Sequence, residues 1–171
     1  MKKMNGFSKG MGIGGWLTNY KRLGILPESR RTALTIGDME HFRTYITPRD
    51  IQNIAEMGMD HVRIGFDQIV MESAPYEYRD EMFSLLRTIA DACREYHLIC
   101  VLNLHKAIGN YCDVASKTSL LDDEELQSRF VALWEKCEDV FSDCDHVYFE
   151  LLNEVLNVDP EKWNNLAERT L

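Results

Sequence analysis

Side chains able to do chemistry gather at the ends of three apolar runs in this sequence. Asn153 and Glu154 close the run 146–152, Asn103 and His105 sit at the end of 98–104, and Arg63 and Asp67 belong to 60–67. A carboxyl group can protonate a departing oxygen, an imidazole can carry a proton, an amide can hold a hydroxyl, and a guanidinium can orient an anion. If the runs are strands of one parallel sheet, these groups converge on the rim where such sheets place their sites. Together they could transfer protons to a polar substrate. Each has a plainer reading. Glu154 could simply open a surface loop, His105 could be a hydrogen-bonded core histidine, and Arg63 could form a structural ion pair with Glu150 or Asp67. The recurrence at the same end of three runs favours a site.

Regular elements must position those ends. Phe7, Met11 and Ile13 among glycines suggest a strand over 7–13, with a turn at Gly14-Gly15. A polar stretch, 18–45, follows, with a short helix expected over 28–34. Thr47 can cap a helix that Pro48 opens, Asp50 suits the positive end of its dipole, and Gly58 stops it. Ile51, Ile54 and Ala55 form its buried stripe. Alternation of Val62, Ile64 and Phe66 predicts a strand over 60–66. Helical spacing of Met82, Phe83, Leu86, Ile89, Ala90 and Cys93 predicts a helix over 79–96. The nearly unbroken apolar run 98–104 reads as a strand buried on both faces, followed by a loop over 105–121. A helix over 123–141, a strand over 146–152 and a helix opened by Asp159-Pro160 complete the chain. The order β-α-β-α-β-α-β-α implies an α/β protein with a parallel sheet. An open doubly wound sheet and a (β/α)₈ barrel both fit. No Gly-rich phosphate loop of GxGxxG spacing follows a strand, which weakens the nucleotide-binding version.

Composition narrows the partners. The chain has 171 residues, 45% of them hydrophobic, which suits one globular domain. Its net charge of -9, without a basic run, argues against nucleic acid and is compatible with a neutral substrate such as a sugar. No apolar stretch is long enough to span a membrane. Lys2 and Lys3 are not followed by a signal-peptide core, so the sequence as written reads as cytoplasmic. The five cysteines lack metal-ligand spacing and read as small reduced core residues. No metal and no cofactor is expected.

Four blocks carry a resemblance to a known family: residues 9–17 (Lys-Gly-Met-Gly-Ile-Gly-Gly-Trp-Leu), 46–67 with His-Val-Arg-Ile-Gly-Phe-Asp at its end, 101–109 (Val-Leu-Asn-Leu-His-Lys-Ala-Ile-Gly), and 149–154 (Phe-Glu-Leu-Leu-Asn-Glu). In order and spacing the chain resembles glycoside hydrolase family 5, the bacterial endoglucanases that cleave β-1,4-glucans. The resemblance implies a (β/α)₈ barrel of the TIM type and retaining hydrolysis of O-glycosyl bonds. It assigns Glu154 as acid/base, Arg63 as the arginine that orients the nucleophile, and His105 as the strand-three histidine lining the subsite of the scissile sugar. Asn153 corresponds to the residue that bonds the 2-hydroxyl, and Trp16 and Lys106 fall on the substrate-binding side. The sequence departs from the family pattern at Gly12 (usually Asn), Lys106 (often His), Ile108 and Val155 (often Pro), and over a long 20–41 segment.

A full barrel takes about 250 residues, so residues 1–171 correspond to the N-terminal half, with four βα units. Retaining hydrolysis needs two carboxyl groups about 5–5.5 Å apart. Glu150 and Glu154 share a strand face but lie about 13 Å apart if the strand is regular, and Asp67 has no such role in the family. The nucleophile must therefore come from elsewhere. The resemblance leaves two functions open: an incomplete β-glucan hydrolase, or a non-catalytic half-barrel that binds glycans or serves in assembly. An apolar inner sheet face is expected to be left uncovered, giving a homodimer of halves or a complex with a complementing C-terminal half.

Overall fold

The computed structural model describes residues 7–18, 34–110, 120–156 and 158–171. In chain order the elements are β1 (Gly10–Leu17), α1 (Ile36–Thr44), α2 (Pro48–Glu56), β2 (His61–Asp67), α3 (Gln68–Met71), β3 (Glu72–Ala74), β4 (Glu77–Tyr78), α4 (Asp80–Glu95), β5 (Ile99–Lys106), α5 (Glu124–Phe141), β6 (Val147–Glu150) and α6 (Pro160–Thr170). A short 3₁₀ turn, Leu120–Asp122, precedes α5. The sheet has the order β1-β2-β5-β6 and every neighbouring pair is parallel. No helix among the described residues is long and apolar enough to cross a membrane.

Period-2 alternation on the strands splits the sheet into two unlike faces. The rows Val62–Cys100, Ile64–Leu102 and Phe66–Leu104 are fully buried and lie level across β2 and β5. They join one core with Met82, Leu86 and Ile89 of α4 and with Phe130, Leu133 and Trp134 of α5. Trp134 also fixes β6, packing its ring on Phe149 and donating its Nε1–H to the Leu151 carbonyl at 3.3 Å. Cys93, Cys100, Cys137 and Cys144 are free and buried, in keeping with the core role expected of them.

The opposite face does not carry the apolar patch expected from the sequence. Its level rows are Gly10–His61–Ile99, Gly12–Arg63–Val101–Tyr148 and Gly65–Asn103–Glu150. Glycine, charge and amide dominate, and none of the large exposed hydrophobic residues among those described lies on a strand. The expectation failed because the 98–104 run was read as buried on both faces, whereas this face carries Arg63, Asn103 and Glu150 beside Ile99, Val101 and Tyr148. One aromatic side chain bridges this face. The Phe7 ring meets His61 of β2 at 5.1 Å and Tyr148 of β6 edge-on at 5.4 Å. Those two strands are next-but-one neighbours separated by β5, so the ring spans three strands.

Several elements depart from the sequence reading. β1 does not turn at Gly14-Gly15 but continues to Leu17 through a bulge, with Gly15 at φ +76°. The bulged carbonyls are satisfied by α1 and the residue that caps it, where Tyr45 Oη donates to Gly14 O at 2.8 Å and His41 Nε2 lies 2.7 Å from Gly15 O. That helix lay hidden in the polar stretch, although its capping box, Thr35 with Asp38, is a regular start signal. The expected helix over 28–34 falls on residues outside those described, apart from Leu34. The helix opened by Pro48 forms as expected, with a Thr47–Asp50 capping box and Gly58 at φ +78° beyond its end. The 68–78 segment folds as α3 and a two-stranded hairpin, which periodicity did not show.

Candidate active site

Two strand ends and the turn after β6 build the site. Arg63 extends from β2 across the same face to β6. Its Nε donates to Glu150 Oε2 and its Nη2 to Glu150 Oε1, both at 2.6 Å. The same Nη2 donates to Asn153 Oδ1 at 2.8 Å. The ion pair named as Arg63's plainer reading is therefore present, and it is also tied into the rim. Hydrogen bonding to Glu150 raises the Arg63 pKa further; burial opposes this, and the negative charges of Glu150 and Glu154 add to it. Arg63 thus stays a full cation with Glu154 inside its field.

The backbone of Asn153 is docked onto β5, its N–H donating to the Leu104 carbonyl at 3.0 Å. This sets Asn153-Glu154 beside His105, the next residue of β5. His105 Nδ1 lies 3.2 Å from Asn103 Oδ1, and Asn103 is fully buried. On the neighbouring strand Gly65 presents no side chain; a Cβ there would already touch His105 Cβ and Asn103 Oδ1 at 3.6 and 3.7 Å. Glu154 is exposed and holds φ +50°. Left-handed backbone is unfavourable for a glutamate, and strain of about 1–3 kcal/mol is typical where it persists. Glu154 is thus held in a turn that its own backbone preference does not favour.

His105 and Asn153-Glu154 lie at the carboxyl ends of the neighbouring strands β5 and β6, and Arg63, the third residue of β2, reaches Asn153 with its side chain. Trp16 does not join them. It is 1% exposed, and its Nε1–H donates to the Phe42 carbonyl at 2.7 Å, so it belongs to the core rather than to a sugar-facing surface. Lys106 is likewise buried, paired in register with buried Asp67. Asp67 is the last residue of β2 and is fully buried.

Sequence reasoning missed the polar layer that fixes the rim from behind. Glu72 is fully buried and accepts from Arg129 Nη2 at 2.9 Å and Nε at 3.1 Å, from Gln68 Nε2 at 3.0 Å and from the Tyr76 N–H at 2.8 Å. Gln68 Oε1 then accepts from the Ile108 N–H at 3.0 Å, joining the β2 connection to the segment just after His105. Only the Pro75-Tyr76 turn signal pointed to structure there.

A parallel sheet backed by helices, with acid, amide, imidazole and guanidinium gathered on one face, has the architecture of a TIM-barrel wall. The cellulase (glycosyl hydrolase family 5) family model matches residues 28–171, and the chain belongs to that family. Endoglucanase C of Acetivibrio thermocellus is 34% identical over 166 residues, covering 95% of this chain and 44% of the relative. Cellodextrinase A of Ruminococcus flavefaciens is 30% identical, covering 98% and 46%. Among solved structures, endoglucanase Cel5A from Thermotoga maritima superposes with a TM-score of 0.68 at 28% identity, over 96% of this chain and 46% of that one. The chain thus spans about half the length of the relatives it matches, as a half-barrel of four βα units does.

Proposed function

We propose that this chain is the acid/base half of a retaining β-glucan hydrolase of the endo-β-1,4-glucanase kind. The observation that carries the reading is the single hydrogen-bonded constellation of Arg63, Glu150 and Asn153, with Glu154 next in sequence. In a retaining reaction one carboxyl group protonates the leaving oxygen while a second attacks the anomeric carbon. Glu154 is the exposed carboxylate at the rim and takes the first role. Asn153 holds a sugar hydroxyl, and His105 lines the cleft beside it. The Nη1 edge of Arg63, which makes none of the bonds to Glu150 or Asn153, faces the second carboxylate. Glu150 is engaged by Arg63 and does not serve as nucleophile, so that group comes from a complementing C-terminal half closing the barrel against β1 and β6.

The experiment joins this chain to the C-terminal half of Endoglucanase C and follows cellotetraose cleavage by proton NMR. The expected first product carries the β anomer. Release of the α anomer would overturn the retaining assignment, and turnover by the unjoined chain would overturn the division of roles.

A further inference from the structure

Glu150 does more than neutralise Arg63. Its carboxylate takes the arginine in a two-pronged fork, both bonds at 2.6 Å. Such a pair fixes the plane of a guanidinium as well as its place. The remaining reach of Nη2 goes to the side-chain oxygen of Asn153 at 2.8 Å. Arginine offers donors only, so the amide atom facing it must be the oxygen. The Nδ2 group of Asn153 is thereby turned away from Arg63, and it meets a ligand as a donor and not as an acceptor.

Little else holds Arg63 in that pose. Its neighbour in register on β1 is Gly12, where even a Cβ would find no atom within 4 Å. The Arg63 side chain is 39% exposed, and open space lies on its β1 side. We propose that Glu150 is a positioning residue: by locking Arg63 it fixes the Asn153 amide with its NH₂ presented to a hydroxyl oxygen of the sugar. What the amide meets rests on the glucan-hydrolase reading, whereas its orientation does not.

The 171-residue chain, labelled with ¹⁵N, tests this directly. The Asn153 side-chain NH₂ signal is assigned by its loss in Asn153→Asp, and its order parameter is measured in wild type, Glu150→Gln and Arg63→Lys. In Glu150→Gln the new amide offers one acceptor and sets its own N–H against the guanidinium. Arg63→Lys keeps the charge without the fork. The Asn153 amide is expected to be ordered in wild type, with an order parameter near about 0.85, and to fall below about 0.6 in both variants. Cellotetraose affinity, read by titration on the same samples, is expected to weaken about fivefold in Glu150→Gln, the factor set by one ordinary hydrogen bond. An Asn153 amide as ordered in Glu150→Gln as in wild type would overturn the proposal. Loss of amide order in the variants without any cellotetraose binding by wild type would uphold the positioning and refute the glucan reading.

Discussion

Removing the Glu72 carboxylate should loosen the rim more than any surface change. Glu72 is 0% exposed and Arg129 13% exposed, so the pair sits largely out of water. Glu72→Ala would take an acceptor from both Arg129 bonds, from Gln68 and from the Tyr76 N–H. Breaking a buried pair by deleting one partner costs about 3–5 kcal/mol. The slight exposure of Arg129 admits some water and places the expectation near 3 kcal/mol, the lower end of that range. For a chain of this length that corresponds to a fall in Tm of about 6–12 °C. Urea unfolding with linear extrapolation measures the change directly. Arg129→Met leaves the carboxylate buried instead and should cost a similar amount. The double variant Glu72→Leu with Arg129→Met should cost less than the sum of the singles by about 2 kcal/mol or more, because neither charge is then stranded. Additive losses, or a Glu72→Ala cost below about 1 kcal/mol, would refute the view that this pair pins the β2 connection to α5.

Other expectations are narrower. Gly10→Ala would set a Cβ 2.0 Å from His61 Nε2, on a ring held by Asp60 and Phe7, and should destabilise by about 1–3 kcal/mol; Gly12→Ala meets no atom within 4 Å and should be neutral or stabilising by up to about 1 kcal/mol in the same urea assay. Glu154→Gly relieves the φ of +50° and should raise stability by about 1 kcal/mol while removing the proposed acid; a loss of stability would show that the turn is not strained. Asp143 is held down to about 2 by its hydrogen bonds to Arg87, and Asp60 is lowered chiefly by His61. Because both folded values lie below the ordinary 3.8, their contribution is complete above it and drains away as pH falls from about 5 toward 2. Asp143 is exposed and Asp60 only half-buried, so the effect should be small and shrink in high salt; urea midpoints that do not fall over that pH range would contradict it.

How much was legible in the sequence differs by element. Apart from the 68–78 segment, the strands and helices from Pro48 onward announced themselves, because an apolar row at period 2 or 3.6 is what buries Val62, Ile64, Phe66, Leu86 and Phe130. The 98–104 run misled on one point. Reading it as buried on both faces hid the polar character of the face that carries Asn103. β1 misled for another reason. Gly14-Gly15 is a turn signal in isolation, and only the hydroxyl of Tyr45 and the ring of His41, 31 and 26 residues away in sequence from the carbonyls they meet, make a bulge the better resting place. The rim residues were legible as a set because Arg63, His105, Asn153 and Glu154 all follow or interrupt apolar runs. The Arg63–Glu150 pair was named as one plainer reading, whereas the bond from Arg63 to Asn153, 90 residues away in sequence, was not. Trp16 was misplaced because an aromatic at a strand end reads equally as sugar platform or core. Its bond to the Phe42 carbonyl depends on a helix that the sequence did not reveal.

The most direct test of the central claim is the leaving-group dependence of Glu154→Gln in the chain joined to the C-terminal half of Endoglucanase C. An acid is needed only when the departing oxygen must be protonated. Cleavage of cellotetraose should therefore fall by about 10²–10⁴-fold, whereas the first-turnover release of dinitrophenol from dinitrophenyl cellobioside should be nearly retained. Equal losses on the two substrates, or wild-type cleavage of cellotetraose by Glu154→Gln, would contradict the assignment of Glu154 as the acid.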